Sequence, residues 1–183
     1  MKRKRGLTLV ELVMVAAILG IGIAALIGAF VSQMALNEHA RNMAWAMNDA
    51  NRVMERLRQL NTNCETPSGS APSECGAGAA ACADWDDWLE SDAAGGKNLQ
   101  PNPAVNELVV VTCRNQANTE VCAVGTDDPI LVTVAVCWRH RSRTIGECDW
   151  DGTQLTANDA DGDGVIESPA MLSTLMTCRS EAS

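Results

Sequence analysis

The pattern of apolar and polar positions changes three times along the 183 residues. From Leu12 to Val31 no residue carries a charge, and a helix of that length spans about 30 Å, the hydrocarbon thickness of a bilayer. Beyond it Leu36, Ala40, Met43, Met47, Ala50, Met54 and Leu57 recur at alternating spacings of four and three. That stripe predicts an amphipathic helix with one face laid on a core. No proline precedes Pro67, so residues 7–60 are expected as one helix, about 80 Å long at ideal rise. Trp45 falls off the stripe, beside Arg41, Asn48 and Arg52, and reads as either a lone surface residue or a subunit contact. Residues 61–81, rich in Ser, Gly, Ala, Pro and Cys, read as a loop. CADWDDWLESD, residues 82–92, predicts a short acidic helix with Trp85 and Trp88 on one side, and Gly95-Gly96 and Pro101-Asn102-Pro103 mark turns. From Glu107 the runs ELVVVTC, VCAV and PILVTVAVCWRHR are β-branched and partly alternating. They predict two or three antiparallel strands joined by Arg114–Glu120 and Arg143–Glu147. The expected fold class is α+β: a long N-terminal helix, transmembrane in its first half and amphipathic in its second, on a small antiparallel sheet.

Charge orients that helix. Lys2, Arg3, Lys4 and Arg5 precede Gly6 and the apolar run, so the N-terminus stays cytoplasmic and everything after Val31 is exported. A secretory signal is cut after its apolar region; here the cleavable junction lies before it, and the apolar segment stays in the mature chain. Glu11 is the residue a plain anchor would omit, because a carboxylate in the apolar zone costs a few kcal/mol and needs a partner. Cleavage after Gly6 would create an α-amine on Leu7, about 6 Å from Glu11 along a helix. The amine of one subunit would then meet the Glu11 carboxylate of a second subunit displaced by that step.

Lys4-Arg5-Gly6, then Leu7-Thr8-Leu9-Val10-Glu11 and the apolar stretch, resemble the class III signal peptide of type IV pilins and type II secretion pseudopilins, over residues 1 to about 60. The resemblance implies a leader of residues 1–6, cut between Gly6 and Leu7 by a prepilin peptidase that methylates the new N-terminus. Residues 7–31 are then the transmembrane and assembly half of the helix, 32–60 its amphipathic half, and 61–183 an exported pilin-like head. Glu11 matches the family's assembly glutamate, and Leu7 stands where the family most often has Phe. The implied partners are other pilin or pseudopilin subunits, the peptidase, the inner-membrane assembly platform and, before assembly, membrane lipids. The implied location is the inner membrane, single-pass, followed by an extracytoplasmic filament. ARNMAWAMNDANRVMERLRQL and LVTVAVCWRHR are further similar, more weakly, to the minor pilins lettered V and the minor pseudopilins lettered I.

Composition narrows the chemistry. The formal charge of −9 falls by four more once the leader is removed, which argues against nonspecific nucleic-acid binding. Eight cysteines, at 64, 75, 82, 113, 122, 137, 148 and 178, all lie on the exported side and read as a disulfide framework. Cys113 with Cys122 and Cys137 with Cys148 each flank a proposed turn. A cysteine metal site has little support, since no CxxC occurs and Cys137 and His140 would face opposite ways on a strand. No haem motif and no nucleotide site is present.

Asp159, Asp161 and Asp163 alternate around Gly162, with Val165 and Glu167 following. Alternating carboxylates with Gly at the sixth position open a calcium loop, with the Val165 carbonyl as a further ligand. Its twelfth position is Ala170, so Glu167 would have to complete the shell; the rival reading is an acidic surface turn. Calcium is the one cofactor expected. The basic run Arg139-His140-Arg141-Ser142-Arg143 reads as a solvated hairpin tip, or else as a docking patch for an acidic neighbour. His39 and His140 are the only histidines, and no nucleophile motif accompanies them, so no enzyme is expected. Three functions follow: a structural, minor subunit of a type IV pilus or pseudopilus; a ligand-binding or adhesive minor pilin at a filament tip, or a pseudopilin serving protein export; and, remotely, a bitopic membrane enzyme.

Overall fold

The computed structural model describes residues 8–61, 82–91, 94–99, 102–115 and 129–177. Helix α1 runs from Leu9 to Asn61. Thr8 starts it: its carbonyl accepts from the amides of Glu11 and Leu12 at 3.1 and 3.2 Å, and its hydroxyl from Glu11 at 3.4 Å. These bonds satisfy amides that the first turn leaves without a partner in the helix. The chain divides into two compact units, the first ending at Arg41 and the second beginning at Asn42. In the first, the large apolar side chains from Leu9 to Leu36 are exposed, Phe30 to 60% and Ile21 to 72%. This is the one helix among the described residues long and apolar enough to cross a membrane.

In the second unit α1 buries Asn42, Ala46, Asp49, Ala50, Val53, Met54 and Leu57. The expected stripe is therefore corrected at its start: Leu36 and Ala40 are exposed, and Met43 and Met47 only half-buried. The physical reason is that two of the buried positions, Asn42 and Asp49, are polar and hydrogen-bonded to the head, which a hydrophobic periodicity cannot register. Trp45 is half-buried and packs against the core, so it is not a lone surface residue.

Helix α2, Trp85–Glu90, is capped by Asp84, whose carboxylate accepts from Asp87 N–H at 2.8 Å. It buries Trp85, Trp88 and Leu89, the two indoles meeting edge-on with centroids 5.5 Å apart. The short α3, Pro103–Asn106, uses Pro103 in its first turn, where the missing N–H costs nothing. Strands β1 (Glu107–Arg114), β2 (Ile130–His140), β3 (Arg143–Ile145), β4 (Cys148–Trp150), β5 (Leu155–Ala157) and β6 (Ala170–Met176) follow. The sequence expectation of two or three strands is exceeded, and Arg143–Ile145, read as a connection, is β3. The connection is only Arg141-Ser142, and Arg141 takes φ 58 to close it. Three-residue strands such as β3, β4 and β5 are too short to show an alternation.

Central β2 pairs antiparallel with β1 along one edge; along the other it pairs first with β6, Ile130↔Met176 to Val136↔Ala170, then with β3, Trp138↔Ile145 to His140↔Arg143. One sheet face, Val109, Val111 and Cys113 with Ile130, Val132, Val134, Val136 and Trp138, forms the main core with α1 and α2. Each fully buried large side chain contributes about 1.5–3 kcal/mol. The other face, around Ala135 and Cys137, is covered by the β4–β5 hairpin and Ile166. A Cys137–Cys148 disulfide, Sγ–Sγ 2.08 Å, joins β2 to β4. Cys82 and Cys113 are also disulfide-bonded. Cys64, Cys75, Cys122 and Cys178 lie outside the described residues, as do the run VCAV, the loop read at 62–81 and the proposed Cys113–Cys122 bridge.

Candidate functional site

Gly6 and Leu7 lie outside the described residues. Glu11 stands in the first turn of α1, exposed, where a negative charge is favoured by the helix dipole.

The acidic loop leaves β5 and returns to β6. One residue closes its neck: the Glu147 carbonyl accepts from Asn158 N–H at 3.0 Å, its amide donates to the Glu167 carbonyl at 2.8 Å, and its carboxylate accepts from Glu167 N–H at 2.9 Å. Ile166, buried in the second core, anchors the returning arm. Inside this closure the carboxylates of Asp159, Asp161 and Asp163 lie within 4.8 Å of one another. Asp159 accepts from Gly162 N–H at 2.8 Å and Gly164 N–H at 2.6 Å, Asp161 from Asp163 N–H at 3.1 Å, and Asp163 from Val165 N–H at 2.7 Å. Desolvation is the largest single influence on Asp159 and raises its pKa, but hydrogen bonds from the Gly164 and Gly162 amides, with those of Asp161 and Asp163, together outweigh it and hold the carboxyl below its ordinary value.

Gly162 and Gly164 take φ 74 and 76, a region open to glycine without strain. Gly164 has a second reason to be glycine, because a Cβ there would run into Nη2 of Arg114, whose buried side chain lies against the loop. The donor set is all oxygen and anionic, as a hard divalent cation requires. The fit is partial: Glu167 uses its backbone at the neck, its carboxylate is outside the group of three, and Ala170 is buried at the start of β6. Glu147, which shapes the loop, carries no signal in the calcium pattern; its place beside Cys148 is the only hint.

The basic run forms the β2–β3 tip. Arg139 stacks over the Trp150 ring, 4.0 Å from its centroid. His140 Nδ1 lies 3.2 Å from Asn42 Nδ2, and Arg141, Ser142 and Arg143 are exposed.

A second polar constellation lies within the head, and sequence reasoning missed it. Asp49, fully buried, accepts from Asn98 N–H at 2.9 Å, Asn98 Nδ2 at 2.5 Å and Arg52 Nη1 at 2.7 Å. Glu107 Oε2 accepts from Leu99 N–H at 3.2 Å, and its carboxyl hydrogen-bonds Asp49. Burial, then the charge and hydrogen bond of Asp49, push Glu107 up to about 9. Two carboxyls in one dry site cannot both ionise; Asp49 receives the donors, so Glu107 keeps the proton and donates. Beside them Lys97 Nζ pairs with Asp86 at 2.7 Å and donates to the Glu107 carbonyl at 3.1 Å. Burial raises Asp86 above its ordinary value, and Lys97 and the Val109 amide only partly offset it. The signal available was a carboxylate at a core phase of the helix, since Asp49 lies between Ala46 and Val53 at spacings of three and four.

Residues 1–27 match the model of the prokaryotic N-terminal methylation motif. No curated protein and no solved structure matches the chain.

Proposed function

We propose that this chain, which carries the class III signal peptide of type IV pilins and pseudopilins, is a structural, minor subunit of a type IV pilus or pseudopilus. The single observation that carries the reading is the matched motif at residues 1–27, set on a helix whose apolar side chains are exposed from Leu9 to Leu36. Exposed apolar surface of that extent requires either lipid or the same helix of neighbouring subunits to cover it. The motif is that of a structural family and not of an enzyme. In this reading the leader stays cytoplasmic, a prepilin peptidase cuts after Gly6 and methylates Leu7, and the head is exported before the subunit joins a filament. Mass spectrometry of the chain recovered from sheared filaments or pseudopili tests it. The expected species begins at Leu7 and carries one extra methyl group; a chain retaining Met1, or one absent from every filament preparation, would overturn the reading.

The convergence of Asp159, Asp161 and Asp163 favours a second element of the proposal, a weak calcium site in the loop. Extracellular modules bind calcium with dissociation constants of about 0.1–1 mM, so about 10 mM calcium should stabilise the head by roughly 1.5–3 kcal/mol. Thermal melting of the full chain in detergent should rise by several degrees with calcium and return with EDTA. Asp159→Asn should remove the response; an identical melting curve in calcium and in EDTA rejects the site.

A further inference from the structure

We propose that the free edge of β6 is a self-recognition surface, on which β6 of a second copy of this chain pairs antiparallel about a two-fold axis at Ser173. The pairing uses no residue of the first unit and stands apart from the filament reading. Among the described residues β2 is the one strand that pairs with β6. An unpaired strand edge is a row of N–H and C=O groups ready to take another strand, and folded proteins guard such edges with charge, proline, a bulge or shortness. Over its seven residues β6 has none of these guards. Its pairing with β2 is unbroken from Ala170 to Met176, and no charged residue stands between Glu167 and Arg179 in a chain of net charge −9. The Ser168 hydroxyl takes up the Ala170 amide at 3.2 Å, so the open edge runs from Met171.

What fits that edge is the edge itself. Alternate residues of β6 lie on the main-core face, Ala170, Leu172, Thr174 and Met176 standing opposite Val136, Val134, Val132 and Ile130. On the other face Met171 is 37% exposed and Leu175 66%. Ser173 between them is exposed, its Oγ 3.0 Å from Thr133 Oγ1. Outward from Ser173 the strand reads alike in both directions: half-buried Leu172 and Thr174, then exposed Met171 and Leu175, then buried Ala170 and Met176. Turning a second β6 about Ser173 therefore sets Met171 of each copy against Leu175 of the other, and Leu172 against Thr174, with Ser173 opposite its own image. One register covers both exposed apolar side chains twice, whereas a slip of one residue would put outward side chains against inward ones. Uncharged along its length, the edge offers a charged strand no counter-ion, which leaves its own kind as the matching partner. The contact is isologous, so it closes at two copies and joins two sheets into one, in the order β1-β2-β6-β6-β2-β1.

Sedimentation equilibrium of the full-length chain in detergent tests the pairing, with Ser173→Lys and Ser173→Glu run singly and mixed, at low salt where screening is weak. The parent should dimerise by about 100 μM. Each variant alone opposes like charges across the axis, about 5 Å apart, and should weaken the dimer by about fivefold or more. An equal mixture opposes unlike charges and should restore association to within about threefold of the parent. Melting curves of the three chains should coincide, since Ser173 is exposed, which separates a lost dimer from a lost fold. A parent that stays monomeric at about 100 μM overturns the proposal. So does association that both single variants keep, which would place the contact elsewhere, as on the apolar half of α1 common to all three chains. A mixture as weak as its components overturns the register at Ser173, and with it the two-fold pairing. None of these outcomes bears on cleavage after Gly6, so failure here is distinct from failure of the filament reading.

Discussion

A chain carrying Glu11→Ala is expected to be cut after Gly6 as efficiently as the parent and yet to be missing from assembled filaments. In the proposed processing the cut would depend on the basic leader and Gly6, which the substitution leaves alone. Incorporation would depend on a carboxylate that is costly in an apolar zone until something positive meets it. In the membrane the first-turn position supplies part of that, since the helix N-terminus favours negative charge by about 0.3–1 kcal/mol. The α-amine of Leu7 on an adjacent subunit would supply the rest, and an alanine gives the amine nothing to find. Processing is read from the mass of the membrane-bound chain and assembly from its recovery in sheared filaments. A loss of tenfold or more in recovery with normal processing is expected, and undiminished recovery contradicts the pairing. Glu11→Asp should recover part of the assembly, because it keeps the charge and shortens only the reach.

The second large effect is on stability against pH. Glu107 is neutral in the folded head up to about 9, against an ordinary value of 4.5. Between those values the unfolded chain has released a proton that the folded chain still holds. Stability therefore falls as pH rises through that window, by about 1.4 kcal/mol per unit from this group alone. The contribution is complete below pH 4.5 and gone above 9. Glu107→Gln keeps a donor toward Asp49 and an acceptor for Leu99 N–H and removes the titration. Urea unfolding of the full chain in detergent should give coincident stabilities for parent and variant near pH 4.5. Their curves should diverge upward, the glutamine being more stable at pH 8 by about 4–5 kcal/mol. A variant less stable than its parent at pH 8 would show that Glu107 is ionised and paired.

Much of the architecture is legible because it rests on long, uninterrupted patterns. Twenty uncharged residues from Leu12 and the β-branched runs at 107–113 and 130–138 leave few alternatives to a long helix and a small sheet. The short acidic helix at Trp85 and Trp88 was readable from its aspartates and indoles. What stayed hidden are features that depend on contacts between distant segments. Glu147 looks like a loop residue until Asn158 and Glu167 return to it. Asp49, a carboxylate at a core phase of the helix, has no visible partner until Asn98 and Glu107 fold over it. The stripe was misplaced at its start for the same reason: Asn42 is buried by a hydrogen bond to the far end of β2, and polar burial leaves no trace in a hydrophobic period. At the N-terminus the situation is reversed. The roles proposed for Gly6, Leu7 and Glu11 rest on local order in the chain, so they are read from the motif at residues 1–27 and not from the fold.

The edge of β2 changes partner at one residue. Val136 is the last to pair with β6 and Trp138 the first to pair with β3, and between them Cys137 is bound to Cys148. A ladder that hands over from one strand to another has a fulcrum there, about which the distal segment can swing under load. The disulfide sits on that fulcrum. The arm beyond Cys137, with the Arg141-Ser142 turn at its end, is joined covalently to the β4 layer, so it cannot peel from the sheet without taking β4 with it. Local fraying at the handover would therefore have to separate two layers at once, where the backbone ladder alone would have let one strand go.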